Sequence, residues 1–366
     1  MEPTALSKRR EIVVITGATG GVGRATAHRF ARDGARIALL ARGEHQLEAT
    51  AREVRALGGE PLIVCTDVAD PKAVFAAAER VEQQLGSIDV WINNAMSTIF
   101  SRIQDIEPDE FRRATEVTYL GVVWGTQAAL RVMRPRNRGT IIQVGSALAY
   151  RGIPLQTAYC GAKFAGRGFT EAVRCELIHD HVNIHIGMVH LPGVNTPQFE
   201  WCLSKMEYRP RPVPPIFQPE IAAEAVHYAA HHQRREIYVG NSTVQTIVGS
   251  KVVPGLLDHY LAHAAFEGQF TEQRHDPERA SNLFHPAPHD YGTHGPFDAQ
   301  ARPRDLLTRA TMRLGAGGTR ALLLFIGPLW LAFAVLPSLV RGLRRNLPPD
   351  KRSRSSARAR RLRPAH

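Results

Sequence analysis

Three polar side chains in the middle of the sequence have types and spacings that suit proton transfer. Tyr159 and Lys163 are four positions apart, so on a helix they share one face about one turn apart. An ammonium beside a phenol favours the phenolate and is expected to lower a pKa that is about 10 when unperturbed. Ser146 ends a predicted strand and can hydrogen-bond the same substrate oxygen. We predict that these three residues are the catalytic set, with Tyr159 as the general acid and base.

A cluster of glycines follows the first predicted strand and leads directly into a predicted helix. Glycine suits a place where the chain turns sharply and the backbone approaches a pyrophosphate without an intervening Cβ. The helix N-terminus then offers unpaired N–H groups and a partial positive charge to the phosphates. The pattern predicts a dinucleotide-binding turn that is formed by Thr16, Gly17, Gly21, Val22 and Gly23.

The end of the second predicted strand bears on the choice of cofactor. An acidic residue there would hydrogen-bond the 2′-hydroxyl of NAD(H), but this chain has Ala41 followed by Arg42. A guanidinium can bind a 2′-phosphate with two hydrogen bonds, whereas a carboxylate would repel it. We therefore predict NADP(H) in preference to NAD(H). The alternative is that Arg42 is an ordinary solvated surface arginine.

These residues are positioned by short apolar runs that alternate with helix-length amphipathic segments. The runs are apolar on both faces, as a sheet covered on both sides requires, and this alternation predicts right-handed βαβ units. The fold class is therefore α/β, a Rossmann-type doubly wound parallel sheet with helices on both faces and a C-terminal extension. The predicted strands are residues 11–16, 36–41, 61–66, 88–92, 140–144, 183–189 and 236–239. The predicted helices lie near residues 22–33, 43–58, 71–85, 109–133, 157–179 and 220–231.

Taken together, these motifs resemble the short-chain dehydrogenase/reductase family over roughly residues 10–240. The residues that carry the resemblance are the turn Thr16, Gly17, Gly21 and Gly23, then Asp67 with Val68, Asn93-Asn94-Ala95, Ser146, Tyr159, Lys163, Pro192-Gly193 and Thr196. The resemblance implies that Asp67 and Val68 lie near the adenine and that Asn93 orders the sheet edge beside the cofactor. It also implies that Lys163 holds the nicotinamide ribose and that Thr196 contacts the carboxamide.

Two positions depart from the family pattern. Met96 stands where the family usually has glycine, so its side chain is expected to crowd the nicotinamide side of the pocket. Thr118 stands where the family commonly has an asparagine that anchors a proton-relay water. These departures motivate a second hypothesis, a membrane-attached NADP(H)-binding sensor or scaffold with little catalytic activity. The intact set of Ser146, Tyr159 and Lys163 favours the enzyme.

Residues 193–219 are rich in proline and aromatic residues and are predicted to be a functional loop. Its aromatic side chains are Phe199, Trp201, Tyr208 and Phe217, and we expect them to close over the substrate. An aromatic lining favours an apolar carbonyl or alcohol such as a lipid, a steroid-like compound or a long-chain ketone. No metal site is expected, because the histidines and the four cysteines show no ligand spacing.

The positive charge of the chain is concentrated at its C-terminus. Residues 341–366 carry ten Lys/Arg and one acidic residue, which accounts for most of the net charge of +12. Residues 321–340 contain no charged side chain, and a run of this length suffices to cross a bilayer. A basic tail beside an apolar segment is expected to meet anionic lipid rather than nucleic acid, for which no recognition motif is present.

The predicted organisation has four parts. They are an NADP(H)-binding and catalytic domain (10–245), a C-terminal extension (246–320) that wraps the domain or links it onward, an apolar membrane segment (321–340) and a basic, disordered tail (341–366). We expect a cytoplasmic catalytic domain that is associated with a membrane through residues 321–366. Whether the chain forms a homo-oligomer stays open.

Overall fold

A seven-stranded parallel sheet forms the centre of the computed structural model, which describes residues 9–313. The strands are β1 (Ile12–Thr16), β2 (Arg36–Ala41), β3 (Glu60–Cys65), β4 (Val90–Asn93), β5 (Gly139–Ser146), β6 (Ile184–Leu191) and β7 (Glu236–Tyr238). Their order across the sheet is β7-β6-β5-β4-β1-β2-β3. Strands β2 and β3 therefore lie on one side of β1 and strands β4 to β7 on the other, so the strand order switches between β1 and β4. The predicted fold class and all seven predicted strands are confirmed.

Nine α-helices of more than four residues surround this sheet in the described part of the chain. They are α1 (Gly21–Ala31), α2 (Glu44–Ala56), α3 (Pro71–Gln84), α4 (Pro108–Thr115), α5 (Gly121–Met133), α6 (Thr157–His179), α7 (Pro219–His231), α8 (Asn241–Val252) and α9 (Pro254–Glu267). Local capping explains where some of them begin. Asp70 accepts a hydrogen bond from the Lys72 N–H (2.9 Å) and Pro71 is the first residue of α3, which is the usual arrangement of a capped helix start.

The alternating side chains of β1 show why the strand must be apolar on both faces. Val13 and Ile15 point into one core, which α1, α2 and α7 cover. Ile12 and Val14 point into the other core, which α3, α5 and α6 cover. All four side chains are almost completely buried. Because a strand exposes successive residues on opposite faces, a sheet with helices on both sides requires this pattern.

The predicted helix at residues 109–133 is interrupted by one wider, π-helical turn at Glu116–Leu120. Thr118 lies in this turn and is buried. Its hydroxyl accepts a hydrogen bond from the Ser97 N–H and donates one to the Ser97 carbonyl, both at 2.9 Å. The turn is thereby attached to the loop that follows β4. Such turns are rare and are often found at functional sites.

The chain after β7 contains more regular structure than the sequence predicts. The predicted domain boundary at residue 245 falls inside α8, which α9 follows directly. The short strand Phe270–Arg274 pairs with Tyr208–Pro210, and Ala301–Arg302 pairs with Ile216–Phe217. The extension therefore wraps the Rossmann domain, which is one of the two arrangements that the sequence leaves open.

Among residues 9–313, no helix is long and apolar enough to cross a membrane. The apolar segment 321–340 and the basic tail 341–366 lie outside the described residues. Their association with a membrane stays a prediction.

Candidate active site

Ser146, Tyr159 and Lys163 meet at the carboxyl end of β5. Ser146 is the last residue of this strand, and its side chain lies within interaction distance of the Tyr159 hydroxyl. Lys163 lies one turn after Tyr159 on α6, with its Nζ 5.5 Å from the centre of the Tyr159 ring. The same Nζ donates a hydrogen bond to the Val144 carbonyl (2.7 Å). The strand that positions the serine thus also holds the lysine.

Burial has the largest effect on the pKa values of Tyr159 and Lys163. It raises the pKa of the Tyr159 phenol above its ordinary value, although the hydrogen bond with Ser146 acts in the opposite direction. It also lowers the pKa of the Lys163 ammonium to about 8. The expectation of a lowered Tyr159 pKa is therefore wrong for this structure, because both groups lose solvation and the ammonium points to the Val144 carbonyl. A phenol that stays protonated is poised to donate a proton.

The glycine turn between β1 and α1 has the backbone geometry that the sequence predicts. Gly17 and Gly21 have positive φ values of +66° and +51°, which side chains other than glycine rarely adopt. A Cβ at Gly23 would lie 2.1 Å from the Gly17 carbonyl oxygen. A Cβ at Gly21 would lie 2.8 Å from the Thr196 side chain. Each glycine is thus needed for the turn itself, and Thr196 lies directly beside it.

Asn94 belongs to a motif that the sequence analysis named, but no role was predicted for it there. Its side-chain amide donates hydrogen bonds to the carbonyls of Thr16 (3.0 Å) and Gly17 (3.1 Å). It therefore fixes the turn from the neighbouring strand. The adjacent Asn93 is buried and bonds Gln143 (2.9 Å), so it links β4 to β5. An asparagine directly after a strand that borders the turn was the sequence signal that could have pointed to this role.

Arg42 lies at the end of β2 as predicted, but its guanidinium is not free. It donates hydrogen bonds to four consecutive backbone carbonyls of the C-terminal extension, those of Asn282, Leu283 (3.3 Å), Phe284 (3.0 Å) and His285 (3.0 Å). The alternative of a solvated surface arginine is therefore wrong. The segment that supplies these carbonyls continues along the glycine turn, and we call residues 282–292 the strap.

Asp67 and Val68 lie at the end of β3, close to Arg42. The Asp67 carboxylate forms an ion pair with Arg113 of α4 and accepts a hydrogen bond from the Ala69 N–H (3.0 Å). Val68 is buried and packs against Gly121, where a Cβ would lie 2.8 Å from it. The sequence analysis did not predict that Arg113 joins this group.

The aromatic residues of the 193–219 segment serve mainly in packing. Phe199 and Phe217 are buried, and Phe199 packs against Phe100 at 6.0 Å between ring centres. Trp201 covers the glycine turn, since a Cβ at Gly20 would lie 2.6 Å from its ring. Only Tyr208 of the four is exposed. The expectation that all four close over the substrate is wrong for the two buried phenylalanines.

A buried polar network behind Ser146 was also missed. His190 is fully buried, and its Nδ1 lies 3.3 Å from the Ser146 carbonyl while its Nε2 lies 3.6 Å from the Glu236 carboxylate. That carboxylate also accepts hydrogen bonds from the hydroxyls of Tyr150 and Tyr238, both at 2.9 Å. Burial opposes ionisation, yet these contacts hold the pKa of Glu236 well below its ordinary value. A charged carboxylate on β7 is therefore connected through His190 to the Ser146 carbonyl at the end of β5.

With this geometry described, comparison with known proteins gives the family. The model of the short chain dehydrogenase family matches residues 11–205. The chain belongs to the short-chain dehydrogenase family. Its members are oxidoreductases, and the matched range contains the glycine turn and all three residues of the predicted catalytic set.

Individual relatives extend this result. The uncharacterized oxidoreductase YxnA of Bacillus subtilis (strain 168) is 31% identical over 307 residues, which cover 83% of this chain and 85% of the relative. Estradiol 17-beta-dehydrogenase 11 of Mus musculus is 28% identical over 254 residues, 69% of this chain and 83% of the relative. Among solved structures, the alcohol dehydrogenase from the archaeon Thermococcus sibiricus, complexed with 5-hydroxy-NADP, is 27% identical with a TM-score of 0.54 and covers 63% of this chain and 96% of that one.

Proposed function

We propose that the protein is an NADP(H)-dependent oxidoreductase that interconverts an apolar carbonyl compound and its alcohol. The observation that carries the proposal is the meeting of Ser146, Tyr159 and Lys163 at the end of β5, in the same domain as a strained glycine turn. The names of the mouse and archaeal relatives, a dehydrogenase of estradiol and an alcohol dehydrogenase, support the reaction class and, for the former, an apolar substrate.

The proton chemistry follows from the arrangement of the side chains. Tyr159 is held protonated by burial, and its hydroxyl is aligned by Ser146, so a carbonyl oxygen placed between the two can accept both hydrogen bonds. Tyr159 then donates its proton to that oxygen as the alcohol forms, and takes it back in the opposite direction. The nicotinamide, when bound, supplies or accepts the hydride. Lys163 is close enough to stabilise the phenolate that remains.

The residues that would hold the cofactor fit a dinucleotide. The turn with Gly17 and Gly21 leads into the N-terminus of α1, whose first backbone N–H groups can donate to a pyrophosphate. Lys163 is buried beside the catalytic tyrosine, where it would hold the nicotinamide ribose. Arg42 lies beyond the end of β2, where it would bind the 2′-phosphate once it is released from the strap.

A screen of NADPH oxidation with purified full-length protein in mild detergent tests the proposed function. The panel contains apolar ketones and aldehydes, and the reverse reaction is followed with the matching alcohols and NADP. Turnover of at least one carbonyl supports the enzyme. Tight NADPH binding without any turnover over the whole panel would favour the sensor or scaffold hypothesis instead. The contact of Thr118 with Ser97 favours that hypothesis, because the Thr118 hydroxyl already donates its one proton to the Ser97 carbonyl and cannot donate to a relay water.

Replacing Arg42 with alanine is expected to reduce the preference for NADPH over NADH. The lost charge-assisted contact to the phosphate is worth on the order of 1.5–3 kcal/mol, which is roughly a tenfold to hundredfold change in the ratio of the two dissociation constants. Fluorescence titration of both cofactors measures this ratio. Arg112→Ala is the matched control, because that arginine is exposed on α4 and pairs only with Asp109. An unchanged ratio in Arg42→Ala would remove the residue from the phosphate site.

Full-length protein is expected to sediment with membranes and to resist extraction by high salt. Residues 321–340 are uncharged and need burial, and the arginines that follow can pair with anionic headgroups at about 1 kcal/mol each. Salt screens the tail but does not reverse hydrophobic insertion. A chain ending at residue 319 should stay in the supernatant and still bind NADPH. Full-length protein that is monodisperse without detergent would show that the membrane prediction is wrong and would leave the enzyme proposal standing.

A further inference from the structure

The strap occupies the donors that the dinucleotide phosphates are expected to use. Its first half provides the four carbonyls on Arg42, the proposed 2′-phosphate ligand. Its last residue, Gly292, accepts a hydrogen bond from the Gly21 N–H (3.4 Å) at the start of α1. That N–H is one of the unpaired donors that a helix N-terminus offers to a pyrophosphate. Two separate phosphate positions are thus covered by one stretch of the chain's own backbone.

Side chains attach the strap at both ends. Leu283 is 1% exposed and packs with Ile99, Ala114 and Ala158, the residue directly before Tyr159. At the other end, Asp290 forms an ion pair with Arg24, a buried arginine of α1. Between the two ends, Gln46 of α2 donates hydrogen bonds to the carbonyls of Ala287 (2.6 Å) and His289 (3.2 Å). The strap is therefore a docked element.

Neutral carbonyls are the hydrogen-bond acceptors of the half-buried Arg42 guanidinium. Arg42 and Arg113 both donate to the Leu283 carbonyl, at 3.3 and 3.1 Å, and the Asp67 carboxylate beside them forms its ion pair with Arg113. Burial and, next, the charge of Arg113 lower the pKa of Arg42 below its ordinary value. Asp67 compensates the charge of Arg113, whereas the acceptors that Arg42 uses among residues 9–313 are neutral carbonyls. A phosphate carries its own negative charge, and hydrogen bonds to a charged acceptor are roughly twice as strong as neutral ones.

We propose that the strap is a cofactor-selective element, whose carbonyls stand in for the phosphates of the free cofactor and are displaced by them. The proposal rests on the proposed function and adds a mechanism of selection to it. Any nicotinamide dinucleotide replaces Gly292 at the glycine turn, since each carries a pyrophosphate. Only a 2′-phosphate replaces residues 282–285 on Arg42, so NADP(H) releases the whole strap and NAD(H) releases only its end.

Hydrogen exchange of the full-length protein in mild detergent tests the displacement directly. With saturating NADPH, the amides of residues 282–285 and of residues 290–292 should both exchange faster than in the free protein. With saturating NADH, only those of 290–292 should do so. The small probes 2′-AMP and 5′-AMP separate the phosphate position from the rest of the cofactor, and only 2′-AMP should affect 282–285. The proposal is overturned if bound NADPH leaves the amide exchange of residues 282–285 unchanged or slows it.

Two leucine variants test how the docked strap affects the dissociation constants for NADPH and NADH. Leu283→Ala removes the buried anchor of the strap and should lower the dissociation constant for NADPH by about fivefold or more, because more of the protein is then binding-competent. The constant for NADH should change by less than about twofold, because residues 282–285 need not move for it. Leu257→Ala makes the same change at another buried leucine of the extension, on α9 away from the strap, and should alter neither constant.

The possible outcomes distinguish a failure of the strap proposal from a failure of the proposed function. Leu283→Ala with unchanged or weaker NADPH binding, in a protein that unfolds at the same temperature as Leu257→Ala, overturns the strap proposal while the function stands. If Leu283→Ala binds NADPH and the wild-type protein does not, the strap proposal is supported, and the docked strap blocks NADPH binding entirely in the wild-type protein. If no variant binds either dinucleotide, the strap proposal and the proposed function both fail.

Discussion

Replacing Tyr159 with phenylalanine is expected to lower kcat by roughly 10²–10⁴-fold on any substrate that the wild-type protein accepts, the range that a positioned general acid contributes. The change removes the hydroxyl that Ser146 aligns and leaves the ring in place. Because the phenol is held protonated by burial, its transferable proton is the specific loss. The dissociation constant for NADPH should stay within about twofold, since Tyr159 and the phosphate donors are separate groups.

Steady-state kinetics with NADPH, together with fluorescence titration of the cofactor, measures both quantities. Tyr228→Phe is the matched control, because it removes a hydroxyl on α7 that donates to the Met312 carbonyl and lies far along the chain from β5. It should keep wild-type kcat and reduce stability by about 1 kcal/mol. Equal kcat for Tyr159→Phe and the wild type would refute the catalytic assignment of Tyr159.

The fold was accessible from the sequence because its signals are local. Each strand of the parallel sheet is a short run that is apolar on both faces, as in β1, and the following glycine turn marks the start of α1. The two helices after β7 gave no such signal. In residues 241–252 and 254–267 the polar and apolar side chains are intermixed around the helix, so no amphipathic period stands out.

The candidate site was predictable where residues are close in sequence or obey strand geometry. Tyr159 and Lys163 are one helical turn apart, and Ser146 must end a strand next to them. The partners of Arg42 were not predictable, because they lie some 240 positions away and act through backbone carbonyls, which any residue type supplies. The pKa of Tyr159 was misjudged for a related reason. A sequence shows the neighbouring charge but not the burial that outweighs it.

Replacing Lys163 with methionine is expected to weaken NADPH binding and to lower kcat together, each by about tenfold or more, since one ammonium is proposed to hold the ribose and to stabilise the phenolate. Methionine keeps much of the volume of a lysine that is only 6% exposed, so no large cavity forms. Tyr159→Phe affects kcat alone, which makes the joint effect diagnostic. Lys251→Met on α8 is the control, because that lysine is exposed and should change neither quantity.

The same variant should be more stable than the wild type at neutral pH. Burial lowers the pKa of Lys163 from 10.5 to about 8, so below pH 8 the folded protein carries a buried ammonium that is better solvated in the unfolded chain. Removing it should raise the free energy of unfolding by on the order of 1–3 kcal/mol at pH 7. As pH rises from 8 to 10.5, the folded state has already lost this proton while the unfolded state still binds it, so wild-type stability increases and the advantage of methionine shrinks. Urea unfolding at pH 7 and pH 10 measures both values. A methionine variant that is less stable at pH 7, or an advantage that grows with pH, would mean that the ammonium stabilises the fold and that its burial is not the dominant effect.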